Sequence, residues 1–157
     1  MIDDAPPTHA ADVLWSDERL LGFGPMDRTH EDFYRRAFEL LTCADGDPAA
    51  ARHAIAAFEA HAAEHFAQEE RWMQDTAFPA AGCHADEHAA VLASVREVRC
   101  AVDEGRAGTE LLRRLAEQLF DWFPPHADYM DSALAAWMCK RSLGGQPVVL
   151  RRMAGAA

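Results

Sequence analysis

The sequence predicts an all-α protein: an up-down-up-down four-helix bundle with an N-terminal arm and a short C-terminal extension. Three observations predict it. Apolar residues recur at helical spacing in four long segments. Glycines, prolines and capping residues punctuate the chain between those segments at short intervals. Strand signals are nearly absent, apart from Pro147-Val148-Val149-Leu150 in the tail. At 157 residues, half of them apolar, the chain fits one domain with a useful core, spanning residues 1–140, followed by a tail at 141–157.

Residues 1–24 lack a helical period and contain Pro6, Pro7, Gly22 and Gly24. They read as an arm whose apolar residues, Val13, Leu14, Trp15, Leu20, Leu21 and Phe23, can lie along the body. The first helix is expected from about Asp27 to Cys43, with Phe33, Tyr34, Ala37, Phe38 and Leu41 as its apolar stripe. Asp45-Gly46-Asp47-Pro48 supplies a stop, a cap and a proline at the first helical position of the next. The second helix then runs from about Pro48 to Asp75. Pro79 and Gly82 interrupt before a third, about Cys83 to Glu104, with Val91, Leu92, Val95 and Val98 on one face. Gly105 and Gly108 break it, and Thr109 caps a fourth that reaches about Lys140. Pro124 and Pro125 conflict with that last helix. They require either a kink or a junction of two helices directly before His126.

Charge and cysteine usage exclude several functions. The formal charge of −11 and the lack of a broad basic face argue against nucleic acid. Lys140, Arg141, Arg151 and Arg152 read as a solvated tail. No apolar run approaches a membrane span, and residues 1–25 show no signal-peptide pattern. The cytoplasm is therefore the expected compartment. Cys43, Cys83, Cys100 and Cys139 form no C-x-x-C pair, so zinc-finger and redox spacings are absent.

The main functional signal is His30, His65 with Glu69, His84 with His88, and His126 with Asp131. Five of the chain's eight histidines are in this set. Three of the groups fall at the four- or five-residue spacing that puts two side chains on one helix face. Measured at about 1.5 Å per residue from the end carrying the Cys43–Pro48 and Glu104–Thr109 turns, all seven lie about 20–33 Å along their helices. Four helices thus bring their candidates to one end of the bundle. Alone, an H-x-x-x-E pair is an exposed ion pair, and a lone histidine is an ordinary helix residue. Matched depth on four helices points instead to a metal site.

Seven ligands exceed what one tetrahedral zinc needs. Carboxylates can bridge two ions while imidazoles cap each. This donor set suits iron, with manganese, cobalt or zinc also compatible. The paired E-x-x-H motifs of di-iron oxidases and ferritins do not occur.

Four motifs carry a family resemblance: Asp27-x-x-His30-x-x-Phe33; His65-Phe66-x-x-Glu69-Glu70-x-x-Met73; His84-x-x-x-His88; and Trp122-Phe123-x-x-His126-x-x-x-x-Asp131. From about Trp15 to Trp137 the chain resembles the bacterial hemerythrins. The resemblance implies a non-haem di-iron centre in a four-helix bundle. It implies that His84, His88 and His126 hold one iron and His30 and His65 the other. Glu69 and Asp131 would bridge the irons together with an oxo or hydroxo group. One iron would be left five-coordinate, the position for O2, in a pocket of Phe33, Phe66, Trp122 and Phe123. Phe123 stands where the family usually has leucine, and the Pro124-Pro125 pair is unusual there.

The leading expectation is an oxygen carrier, store or sensor with O2 as its partner, rather than an enzyme. The alternatives are a di-iron redox catalyst acting on peroxide or nitric oxide, and an iron- or oxygen-sensing signalling module. The oligomeric state is open, with a monomer favoured. His61 is expected to be an ordinary helix histidine rather than a partner of His65. His9 and His53 are expected at the surface, and Glu70, about 100° around the helix from Glu69, is expected to be solvated or to stand behind a ligand rather than to be one.

Overall fold

The computed structural model describes residues 15–43, 46–142 and 144–150. Its elements are a 3₁₀ turn at Asp17–Arg19, α1 (Gly24–Cys43), α2 (Pro48–Asp75), α3 (Ala81–Asp103), α4 (Thr109–His126), a π turn (Ala127–Asp131) and α5 (Ser132–Ser142). The last three run on continuously as the fourth limb of a four-helix bundle. Short connections reverse the chain between packed neighbours: α1 lies against α2 and α4, and α2 lies against α3. No strand occurs among the described residues, and Pro147–Leu150 is irregular. Asp45, Val13, Leu14, His9, Arg151 and Arg152 lie outside the described residues.

The helix ends follow local chemistry. Asp47 caps α2 by accepting from Ala49 N–H at 3.2 Å, with Pro48 at the first helical position. At the end of α3, Gly105 adopts φ +66, while Arg106 N–H reaches Ala101 O and Gly105 N–H reaches Val102 O. That is the doubly bonded stop that a left-handed residue allows.

The first helix begins at Gly24, three residues ahead of the expected Asp27. The reason is the arm. Buried Asp27 accepts from Leu21 N–H (2.7 Å) and Gly22 N–H (3.0 Å), which turns the incoming chain onto the helix. Trp15 meets Tyr34 edge-on at 5.7 Å and Phe23 meets Trp72 at 5.2 Å. The described part of the arm therefore packs along the body. At Gly22 (φ +85) a Cβ would stand 2.9 Å from both Pro147 Cβ and Val148 N, so only glycine lets arm and tail cross there.

The apolar stripe of α1 uses Phe33, Tyr34, Ala37 and Leu40, while Phe38 and Leu41 are half-buried. Two apolar clusters result. One gathers Phe33, Leu40, Ile55, Phe58, Phe66, Leu112, Leu119 and Phe123. The other gathers Phe23, Met26, Met73, Leu134 and Met138. Between them lies a layer of buried polar residues.

The conflict at Pro124 and Pro125 is resolved later than expected. The α-helix continues through both prolines to His126, and the irregularity is the π turn that follows. Within it Ser132 N–H reaches back five residues to Ala127 O.

Candidate metal centre

The polar layer consists of the seven singled-out residues. His30, His65, Glu69, His84, His88, His126 and Asp131 are each 5 % exposed or less, and their helices bring all seven side chains together. His65 and Glu69 share a face of α2 at four-residue spacing, as His84 and His88 do on α3, with His65 Nε2 2.9 Å from Glu69 Oε1.

His126 and Asp131 required more than spacing. Five residues of α-helix turn about 500°, which would leave the two side chains about 140° apart. The intervening π turn winds less per residue and returns Asp131 to the side of His126, where Oδ1 lies 3.2 Å from Nε2.

The carboxylate oxygens divide the histidines. Glu69 Oε1 faces His65 Nε2 (2.9 Å) and His30 Nε2 (3.6 Å), while Oε2 faces His88 Nε2 (3.3 Å) and His84 Nε2 (3.4 Å). Asp131 Oδ2 faces His30 Nε2 (3.1 Å), while Oδ1 faces His84 Nε2 (3.0 Å) and His126 Nε2 (3.2 Å). Each carboxylate therefore turns one oxygen to a three-histidine set and the other to a two-histidine set. The donor atoms of Glu69, His84, His88, His126 and Asp131 lie within 4.8 Å of one another, as do those of His30, His65 and Glu69.

These separations suit ligands better than a hydrogen-bond network. Buried polar atoms normally find partners, because leaving one without costs on the order of 1–3 kcal/mol. Here Nε2 of His30, His84, His88 and His126, Glu69 Oε2 and both Asp131 oxygens are buried without an aligned hydrogen bond. Donors about 2.1 Å from a shared ion at right angles stand about 3.0 Å apart, close to the spacings found. These nitrogen and carboxylate donors, with no thiolate among them, form a buried cluster suited to a metal centre.

The electrostatics agree. Burial opposes charge on His30 and His84, but Asp131 and Glu69 outweigh it and raise both to about 9. Burial likewise pushes Glu69 and Asp131 upward, yet the surrounding histidines hold both carboxyls well below their usual range. Both carboxylates therefore stay ionised, the form in which a carboxylate can hold a cation.

The chain matches the family model described as the hemerythrin HHE cation binding domain over residues 22–138. It belongs to the hemerythrin family. It is also 38% identical over 129 residues to a protein of Ralstonia nicotianae named Bacteriohemerythrin, covering 82% of this chain and 90% of that protein. All seven residues of the polar layer fall inside the matched span of the hemerythrin domain.

The aromatic residues surround this hemerythrin centre unevenly. Phe123 meets His30 edge-on at 4.9 Å and stacks on Phe33 at 4.3 Å, and Phe33 lies 6.2 Å from His65. Phe66 touches both sets, lying 5.3 Å from His65 and stacked on His88 at 4.0 Å. Trp122 stacks on His126 at 4.3 Å, on the three-histidine side.

A cavity of about 270 Å³, lined by Trp15, Arg19, Tyr34, Phe123 and Pro124 among others, leads to His30. Arg19 donates to Tyr34 Oη at 2.7 Å on its wall.

The remaining residues sort plainly. His61 is half-buried, its Nε2 3.1 Å from Thr29 O and its ring 6.0 Å from that of His65. His53 is exposed, and the four cysteines form no disulfide. Glu70 reaches His88 Nδ1 at 3.4 Å rather than the shared centre. Glu87 was not foreseen. Its carboxylate lies 3.2 Å from His126 Nδ1 on the neighbouring helix. The one available signal was an acidic residue beside His88, on the helix that carries two of the candidate ligands. No helix among the described residues is long and apolar enough to cross a membrane.

Proposed function

We propose that this hemerythrin holds two iron ions and binds O2 reversibly, as a carrier, store or sensor. His84, His88 and His126 hold one ion and His30 and His65 the other, with Glu69 and Asp131 bridging. The observation that carries the reading is the division of carboxylate oxygens: each of Glu69 and Asp131 turns one oxygen toward each histidine set. Three histidines and two shared carboxylates would nearly complete the ligand set of one ion, whereas two histidines and the same carboxylates would leave the other short of ligands. When bound, the reduced iron pair supplies the electrons that O2 binding requires.

The protein's own residues control access and water. Phe33 and Phe123 are 1 % exposed and pack against His30 and His65, the side left short of ligands. This dry apolar wall would keep water and protons from that side of the site, which favours reversible binding over reduction of O2. The hydroxyl of Tyr34 is engaged by Arg19. The cavity beside His30 is the route by which a diatomic molecule would approach.

The test is metal analysis of iron-loaded protein, then stopped-flow mixing of the reduced protein with O2 and an argon purge. About two ions per chain, and an oxygenated spectrum that the purge returns to the reduced one, are expected. One ion or none would end the dinuclear assignment. Irreversible oxidation would favour a redox catalyst.

A further inference from the structure

The two histidine sets differ in what stands behind them. Glu87 lies on α3, one residue before His88, and its side chain is 44 % exposed. It reaches across to α4, where Oε2 accepts from Trp122 Nε1 at 3.3 Å and lies 3.2 Å from His126 Nδ1. Trp122 is one turn before His126 and stacks on its ring at 4.3 Å with 27° between planes. Carboxylate, indole and imidazole form one unit, with the imidazole Nε2 left facing Asp131. His88 Nδ1 has a weaker counterpart in Glu70 at 3.4 Å. Nδ1 of His84 is buried without a partner, and on the two-histidine side so are Nδ1 of both His30 and His65, so a carboxylate stands behind two of the three histidines on one side and behind neither on the other.

We propose that Glu87 is a positioning residue that selects one ion of the pair. It holds a proton on His126 Nδ1, which fixes the tautomer with Nε2 as ligand. Its carboxylate holds the ring in the orientation that turns Nε2 to the centre, and Trp122 locks the ring plane. A carboxylate behind a ligating histidine orients the ring and typically changes metal affinity 10–100-fold. Because no carboxylate backs His30 or His65, the effect falls on the three-histidine ion alone. The inference rests on the metal-binding reading above and adds an asymmetry that the ligand set does not contain. Glu87 touches solvent, so its substitution leaves the core intact.

The test uses cobalt(II) as probe in anaerobic titrations of the metal-free protein, with the d–d absorption reporting each ion. Wild type should bind two. Glu87→Ala should weaken one ion about 10–100-fold and leave the other within about twofold. Glu87→Gln, which keeps an acceptor but not the charge, should fall between. In zinc-loaded protein the His126 Nδ1–H resonance should exchange slowly in wild type and fast in Glu87→Ala, with the other ligand histidines unchanged. Unchanged affinity for both ions in Glu87→Ala, or equal weakening of both, overturns the proposal. Wild type that binds no cobalt overturns the metal assignment itself.

Discussion

Glu69 and Glu70 are adjacent in sequence and separated in role, because a helix turns about 100° per residue. Glu69 is 1 % exposed between the two histidine sets, whereas the Glu70 side chain is 36 % exposed and meets only the outer nitrogen of His88. Glu69→Ala would leave Asp131 as the one carboxylate facing both sets. It should hold fewer than two irons per chain, whereas Glu70→Ala should still hold two. Metal analysis of the two iron-loaded variants checks this, and equal losses would mean that the wrong carboxylate has been assigned. Phe123 obeys the same logic of small angles and short distances. Its ring fills the space between His30, Phe33 and Tyr34, so it sets how much room remains beside His30.

Among the elements, the π turn has the clearest chemical purpose. Pro124 and Pro125 withhold two N–H donors from the last turns of α4, yet the helix keeps its course to His126. The extra residue is absorbed between His126 and Asp131 instead, which is where the site needs it. Deleting Tyr129, which is 80 % exposed, should convert the π turn to regular helix. The aspartate would then stand four residues after the histidine, and two ions should still bind. Deleting exposed Glu117 from the regular part of α4 should instead rotate His126 about 100° relative to the upstream packing face and cost metal. Circular dichroism distinguishes loss of the site from loss of the helix. Equal metal content in the two deletions would show that the π turn is irrelevant to the ligand geometry.

At the scale of the whole molecule, the bundle encloses a charged layer between two apolar clusters, and that layer dictates the response to pH. In the metal-free protein His30 and His84 keep their protons up to about 9 instead of 6.5. A pKa raised by folding contributes stability that is complete below the unfolded value and is lost as pH climbs through the folded one. The depressed pKa values of Glu69 and Asp131 work oppositely, contributing above their ordinary values of 4.5 and 3.8 and failing on acidification. Metal-free protein should therefore be most stable between roughly pH 4.5 and 6.5, and should weaken from about 6.5 to about 9. Ion binding needs the imidazoles deprotonated, so metal affinity should rise over that same upper interval. Thermal melts in chelator and metal titrations across this range check both signs. A metal-free melting temperature that climbs from pH 6.5 to 9 would contradict the account.

The sequence by itself determined the four helical segments, the seven residues and their common depth. Each is a local property: helical period, cap chemistry and rise per residue act along one segment and need no knowledge of its neighbours. Hemerythrin membership was legible for the same reason, since its motifs are short spacings on single helices. Tertiary structure decided the rest. The α1 boundary moved to Gly24 because Asp27 captures the arm's N–H groups. The five-residue step from His126 to Asp131 became a shared face because the chain could widen into a π turn inside a packed limb. Glu87 joined the site because α3 and α4 bring residues 39 apart in sequence within 3.2 Å. Which oxygen of Glu69 faces which histidine depends on how three helices rotate against one another. Side-chain packing across the bundle sets that rotation, and no single segment encodes it.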